Sequence, residues 1–375
     1  MKIGIDARFV GPQGTGLGKY TEKLIENLQE IDKENNYCIF LTQENWQYLK
    51  LKNPNFKKIL ADIKWYSLEE QLKMAGIFNA QNLDLLHVPH FNVPILYRKK
   101  FVVTIHDLIH HNFSQESTTT RNPLVFKVKR AAYKLNISHA VKKSAHIVTP
   151  SNFVKEDIIK TFDVPEEKIS VIYEAAEEEY FSAKKAPFKL LQKYKINEPF
   201  VIYVGNSYPH KNLNNLLKAV KSLDIRYLPE IKLVIVSSRD VFSKRLELTI
   251  KELGLEKYVT LTGYISAKEL AAIFKRSLAY VFPSLSEGFG IPGLNAMAAQ
   301  IPLVCSNIPT LKEIYKYAGY YFNPNDVEQI KGKLREVIIK PQLAKYLIQK
   351  GSIRVKQFSW TKMAKDTLLV YKNLG

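Results

Sequence analysis

From Lys2 onward, short β-rich runs alternate with stretches of helical periodicity, and after residue 199 the same alternation starts afresh. Parallel strands can only be joined by long crossovers, so such an alternation predicts a parallel sheet covered by helices. Candidate strands fall at 3–5, 37–41, 83–86, 101–105, 147–149 and 169–172, then at 200–204, 233–236, 259–261, 279–282 and 303–305. Between them, Leu17, Tyr20, Leu24, Ile25 and Leu28 recur at the spacing of one helix face. Ser151 stands where a helix N-cap is expected, ahead of an inward face of Val154, Ile158 and Ile159. The chain of 375 residues exceeds the size at which one core keeps growing, so the fold class is α/β with two doubly wound units. Residues 182–199 contain Lys and Pro without strand alternation and read as a linker with a short helix. The boundary is placed near 185.

With 46% hydrophobic and 24% charged residues the chain has apolar surface for two cores, and its apolar runs are far too short to span a bilayer. A strand that begins at the second residue leaves no room for a signal peptide, which predicts a cytoplasmic protein. Cys38 and Cys305 sit in apolar strand-like runs, as buried thiols do, so neither a disulfide framework nor a zinc site is expected. The charge is +19, and residues 98–143 alone hold ten Lys or Arg against Asp107 and Glu116. There, Lys127, Arg130 and Lys134 share a helical face, with Leu124, Val128, Ala131, Ala132 and Leu135 on another. One reading is a peripheral contact with an anionic membrane, at the inner face of the plasma membrane. The other is a general lysine bias, since Lys outnumbers Arg 45 to 10. The charge falls in no recognisable nucleic-acid motif, so no nucleic-acid partner is expected.

Open α/β sheets bind ligands at the carboxyl ends of their strands, and two such edges can face each other across a cleft. Three glycine-containing loops follow strands. After the first comes Gly11-Pro-Gln-Gly14-Thr-Gly16-Leu-Gly18, which leads into a helix and can bring backbone N–H groups close to a phosphate, or can be only a turn. Its spacing is not Gly-x-Gly-x-x-Gly, which disfavours nicotinamide. The strand at 200–204 runs into Gly205-Asn-Ser-Tyr-Pro-His-Lys211-Asn, where Lys211 is placed to neutralise a diphosphate, or is one more exposed loop lysine. The third loop is Ser286-Glu287-Gly-Phe289-Gly290-Ile291-Pro292-Gly-Leu-Asn295: a carboxylate and a glycine turn ahead of a helix with Pro at its start. Backbone amides of Phe289, Gly290 and Ile291 together with the Glu287 carboxylate suit a ligand rich in hydroxyls.

These pieces, with Thr104-Ile-His106-Asp-Leu, Val148-Thr-Pro-Ser151, Tyr203-Val-Gly205, Pro209-His-Lys-Asn212 and Thr262-Gly263-Tyr264, follow in an order and spacing that resembles the retaining family-4 glycosyltransferases of the GT-B fold over nearly the whole chain. The resemblance implies two Rossmann-like domains facing across a cleft: an acceptor-binding domain at 1–185, a nucleotide-sugar-binding domain at 186–355, and a helix at 356–375 that crosses back to the first. It also implies roles. Lys211 binds the donor diphosphate and stabilises the leaving group. Glu287 contacts the sugar hydroxyls with the Phe289–Ile291 amides, and His106 lies near the reacting centre. Gly16, Leu17 and Gly18 close over the phosphates, Gly205 and Asn206 belong to the phosphate loop, and Gly263 and Tyr264 lie near the base. Asn295 stands where the family has a second glutamate for the ribose. His210 and Asn206 replace frequent arginines, and Gln300 a usual glycine.

The expected function is therefore transfer of a hexose with retention of configuration, without a metal or cofactor since no Asp-x-Asp occurs. The donor is GDP-mannose or a UDP-hexose, mannose being favoured by the Pro-His-Lys-Asn form, which resembles that of bacterial mannosyltransferases of surface-polysaccharide assembly. The acceptor is a glycan or a lipid-linked sugar. A weakly active sugar-nucleotide-binding scaffold and a phosphorylase of the same fold are the alternatives.

Overall fold

The computed structural model describes residues 1–11, 15–112, 123–223, 231–238 and 240–375, for 15, 112 and 123–127 the backbone alone. The chain divides into two units, Met1–Glu174 with Ser359–Gly375, and Ala175–Phe358. Each is a parallel sheet with helices, the architecture its alternating sequence predicts.

The first unit carries β1 (Lys2–Asp6), β2 (Asn36–Leu41), β3 (Phe56–Leu60), β4 (Leu85–Val88), β5 (Phe101–Thr104), β6 (His146–Thr149) and β7 (Ile169–Val171). They pair in parallel in the order β3-β2-β1-β4-β5-β6-β7. The chain thus steps outward from β1 and returns to lay β4 on its other side, which makes the β1/β4 junction the point where the winding reverses. Helix Thr15–Ile31 buries Tyr20, Leu24, Ile25 and Leu28, the face its spacing marks. Gly18 lets that helix come close, for a Cβ there would stand 2.3 Å from the Phe9 carbonyl oxygen. Ser151 caps helix Asn152–Phe162 by accepting from the Val154 N–H.

Helix Trp360–Lys372, capped by Ser359, packs on helix Thr15–Ile31 in the same unit, with Thr361 Oγ1 donating to Asn27 Oδ1 at 2.7 Å. It buries Trp360, Met363 and Tyr371, each contributing roughly 1.5–3 kcal/mol relative to exposure. Tyr371 Oη also meets His87 Nδ1 at 2.5 Å, while His87 Nε2 meets Thr104 Oγ1 at 2.8 Å. Burial pushes the His87 imidazole down to about 3, with His106 adding in the same direction.

The second unit carries β8 (Phe200–Val204), β9 (Lys232–Val236), β10 (Val259–Leu261), β11 (Tyr280–Phe282), β12 (Leu303–Ser306) and β13 (Gly319–Phe322), ordered β10-β9-β8-β11-β12-β13 and all parallel. Its winding reverses between β8 and β11. The sequence reading missed β3 and β13, and both are edge strands. An edge strand is half-exposed and tolerates charge, so Phe-Lys-Lys-Ile-Leu lacks the apolar run by which the inner strands announce themselves.

In the basic stretch, helix Pro123–Lys143 turns Asn136, Ile137, Ala140 and Val141 inward. Val128 and Leu135 are 66% and 67% exposed, and Ala131, Ala132, Lys129 and Lys134 are exposed with them. The apolar stripe at 128–135 therefore faces away from the core. Lys127 and Leu124 lie outside the described side chains. Among the described residues no helix is long and apolar enough to cross a membrane.

Candidate functional site

The loops after β8 and β11 leave the second sheet side by side, at its reversal point, where open α/β sheets bind ligands. Gly205 ends β8 at φ +151°, and a Cβ there would meet Tyr203 Oη at 2.8 Å. Tyr203 in turn donates to the Asn206 carbonyl at 2.8 Å. Asn212, at φ +59°, closes the loop before helix Leu213–Lys221, and its amide donates to the Pro283 and Pro324 carbonyls at 3.0 and 2.7 Å. The Leu285 N–H donates to the His210 carbonyl at 2.8 Å, tying this loop to the one after β11.

Between the two loops Lys211 Nζ meets Glu287 Oε1 at 2.7 Å, with both side chains largely buried. Lys211 Nζ also lies 6.0 Å from the Phe282 ring centroid. A buried charge is costly unless paired, so the pair holds a cation and an anion ready in a place where neither could stand alone. The Glu287 segment is fixed from behind: Thr310 Oγ1 donates to the Glu287 carbonyl at 2.8 Å, and Tyr315 Oη to the Gly290 carbonyl at 2.5 Å. Burial, and then the Glu287 carboxylate, push the Tyr203 phenol well above its ordinary range, which keeps it a donor.

Gly290, at φ +107°, precedes helix Ile291–Ala298, and a Cβ on it would stand 2.3 Å from Tyr315 Oη. Pro292 sits in the first turn, where the N–H groups of a helix have no intrahelical partner and the positive end of its dipole favours an anion. Phe289 is buried and packs edge-on against Phe358 at 5.8 Å.

Asn295 points elsewhere. It is 4% exposed; its Oδ1 accepts from the Glu177 N–H at 2.9 Å and its Nδ2 donates to Glu177 Oε1 at 3.1 Å. The Glu177 carboxylate thus lies beside Asn295. Gly263, at φ +76°, and Tyr264, 71% exposed, follow the edge strand β10, which β9 separates from β8.

In the first unit His106 follows β5. Its Nδ1 faces Glu174 Oε1 at 3.1 Å, its Nε2 faces the Pro89 carbonyl at 3.2 Å, and the Tyr20 ring stands edge-on at 4.7 Å. The ring is therefore fixed in orientation. Gly16, Leu17 and Gly18 form the first turn of helix Thr15–Ile31, and Pro12, Gln13 and Gly14 lie outside the described residues. Sequence reasoning did not single out Glu174, Glu177, Thr310 or Tyr315. Glu174 does follow a strand, as a site carboxylate would. The others carry no local signal, because their partners lie 23 to 118 residues away.

Two family models match consecutive parts of the chain: Glycosyltransferase Family 4 over residues 16–179 and glycosyl transferases group 1 over 188–354. The O-antigen chain mannosyltransferase RfbU of Salmonella typhimurium is 27% identical over 338 residues, 88% of each chain. The O-antigen chain mannosyltransferase B of Escherichia coli is 26% identical over 379 residues, 96% of each. Among solved structures, the sucrose-phosphate synthase of Thermosynechococcus elongatus matches 100% of this chain and 99% of its own with a TM-score of 0.78 at 18% identity, a likeness of fold.

Proposed function

This chain belongs to the glycosyltransferases, and we propose that it moves a hexose, mannose before others, from a nucleotide-sugar donor to a glycan or lipid-linked acceptor in surface-polysaccharide synthesis. The observation that carries this reading is the buried Lys211–Glu287 pair at the reversal point of the second sheet. A diphosphate arriving there takes Lys211 as its counter-ion, and Glu287 then turns its oxygens to sugar hydroxyls. Mannose is favoured because both relatives named above are mannosyltransferases.

As the sugar–phosphate bond breaks, negative charge grows on the diphosphate. A preorganised ammonium and the amides opening helix Ile291–Ala298 stabilise that charge without reorganisation, which is where such sites gain most of their rate. The acceptor oxygen bonds to the anomeric carbon on the face the diphosphate leaves, and its proton passes to the departing phosphate oxygen. That course retains configuration and needs no metal. His106, oriented by Glu174 and Pro89, is the residue of the first unit we assign to positioning sugar.

A panel of nucleotide sugars tested with the purified protein, with and without a chelator, checks this. GDP-mannose is expected to stabilise the protein and to be consumed with or without chelator, and the anomeric signal of the product reports retention. Indifference to every nucleotide sugar contradicts the proposal. The engagement of Asn295 by Glu177 supports a second reading, a sugar-nucleotide-binding protein of low activity, for which binding without turnover is the mark. For the acceptor side, the outward apolar stripe with Lys129 and Lys134 on helix Pro123–Lys143 supports contact with an anionic membrane at the cytoplasmic face. Salt-sensitive binding to anionic liposomes, weakened by Lys129→Gln with Lys134→Gln, is expected, and binding indifferent to both changes contradicts it.

A further inference from the structure

The reversal point of the first sheet, between β1 and β4, is occupied by rings. Phe9, just beyond β1, stacks on Trp65 with centroids 4.7 Å apart and planes at 21°. Tyr66 stands edge-on to Phe9 at 6.1 Å and to His90 at 5.6 Å, and His90 follows β4. Tyr66 is a bulky residue at φ +59°, a conformation side chains of its kind rarely take. It is nevertheless 56% exposed. Its N–H donates to Glu70 Oε2 at 2.8 Å, and its hydroxyl lies 3.2 Å from Nε2 of the buried His90. Backbone strain and exposed aromatic area together are a poor bargain for folding alone; they describe a ring held out at a fixed angle.

What holds the shelf is rigid and charge-compensated. Arg8, buried, bonds Asp6 at 2.7 Å and Glu70 at 2.6 Å, and its Nη1 donates to the Ile63 carbonyl at 3.1 Å, just ahead of Trp65. The guanidinium is thus spent on two carboxylates and is not offered to a phosphate. Among the described residues His90 Nδ1 is buried with no hydrogen-bond partner, a condition that in native sites asks for an explanation. Burial also pushes the His90 imidazole well below its ordinary range, with His106 and then His110 adding to the effect, so this ring is held neutral. One residue before it, the Pro89 carbonyl is a partner of His106 Nε2 at 3.2 Å.

We infer that Trp65 and Tyr66 form a stacking subsite for a neutral pyranoside, the terminal sugar ring of the acceptor, beside His106. The C–H face of a pyranose is apolar and flat enough to lie on such rings, while its rim of hydroxyls needs polar neighbours, which the Tyr66 hydroxyl and the His106 corner supply. A nucleotide fits less well, because the shelf's own cation is already paired. The assignment of this ring to the acceptor rests on the glycosyltransferase reading above; the presence of a pyranoside site does not.

Saturation-transfer NMR with methyl α-D-mannopyranoside, α-D-glucopyranoside and α-D-galactopyranoside tests it on the full chain. Wild type is expected to bind at least one of them, with transfer strongest on the ring C–H protons. Trp65→Ala and Tyr66→Asn, the latter suited to a positive φ, should each weaken that binding at least tenfold, with circular dichroism and the melting midpoint reporting that each variant folds. Undiminished binding by either folded variant overturns the inference, as does the absence of transfer from all three glycosides. So does a tenfold loss of GDP or UDP binding in the same variants, which would make the shelf a nucleobase platform. Glycoside binding by a wild type that ignores every nucleotide would leave the subsite standing and sink the donor reading instead.

Discussion

The two sheets reverse their winding in the same way, yet the loops that meet at the two reversal points differ in chemistry. In the second unit they bring together an ammonium and a carboxylate, 2.7 Å apart, beside the positive end of a helix. In the first unit they gather Phe9, Trp65, Tyr66 and His90, with Arg8 consumed by Asp6 and Glu70. A common frame thus presents charge at one junction and neutral ring faces at the other. The contrast suits a reaction with one diphosphate-bearing and one neutral partner, and it shows how loops rather than sheets divide the labour between units of like fold.

The largest effect expected is on the charged junction. Lys211→Ala should lower donor turnover by about 100- to 1,000-fold, the scale seen when one preorganised donor to a developing anion is removed. Turnover within a fewfold of wild type would break the contrast at its stronger end.

Gly290→Ala comes next. The added Cβ meets Tyr315 Oη at 2.3 Å in a backbone conformation that disfavours side chains, so a loss of about 2–5 kcal/mol of stability is expected. A calorimetric melt in which the second unit softens while the first is unchanged is the expected outcome, and an unshifted melt contradicts it.

Acid should act in the opposite sense, on the first unit. Seven of the eight histidines lie between residues 87 and 146, and only His210 lies in the second unit. His87 falls from the ordinary 6.5 to about 3 on folding, so below pH 6.5 the unfolded chain takes up a proton that the folded unit refuses. The stability it confers is complete above pH 6.5 and drains as pH falls toward 3, by up to about 1.4 kcal/mol per pH unit. In the second unit, hydrogen bonds from Lys193, Tyr194 and Ser266 hold Glu269 at about 2, so its loss begins only below the ordinary carboxylate value of 4.5. Hydrogen exchange at pH 7.0, 5.5 and 4.5, corrected for intrinsic rates, should show first-unit peptides losing protection before those of the second. Equal loss in both would contradict this.

The smallest effect is that of Tyr315→Phe. It removes one of two donors to the Gly290 carbonyl, which keeps the Gly293 N–H at 3.1 Å, at about 1 kcal/mol, and should raise the apparent donor KM more than it lowers kcat, because it loosens the loop rather than removing a charge. An unchanged KM would show that the loop holds without it.

How far the sequence foretells this molecule depends on the distance over which each feature is encoded. The inner strands announce themselves because burial on both faces demands continuous apolar runs, and Ser151 announces its helix because capping is local. The edge strands β3 and β13 escape because exposure relaxes the same demand. At the site, Lys211 and Glu287 stand in glycine-containing loops directly after strands, so each could be marked from its neighbours alone, although 76 residues separate them. The hold of Glu177 on Asn295 and of Arg8 on Glu70 spans 118 and 62 residues with no periodic or loop signal. Trp65 and Tyr66 follow a strand too charged to be noticed, so the shelf they build is visible only once the sheet has formed.

The central claim is that Lys211 receives a diphosphate, and the most direct measurement compares nucleoside diphosphate with monophosphate binding to wild type and to Lys211→Ala. Titration calorimetry should show GDP or UDP binding wild type at least tenfold more tightly than the matching monophosphate, with the difference gone in the variant. A preference for the diphosphate that survives the loss of Lys211 would contradict the account.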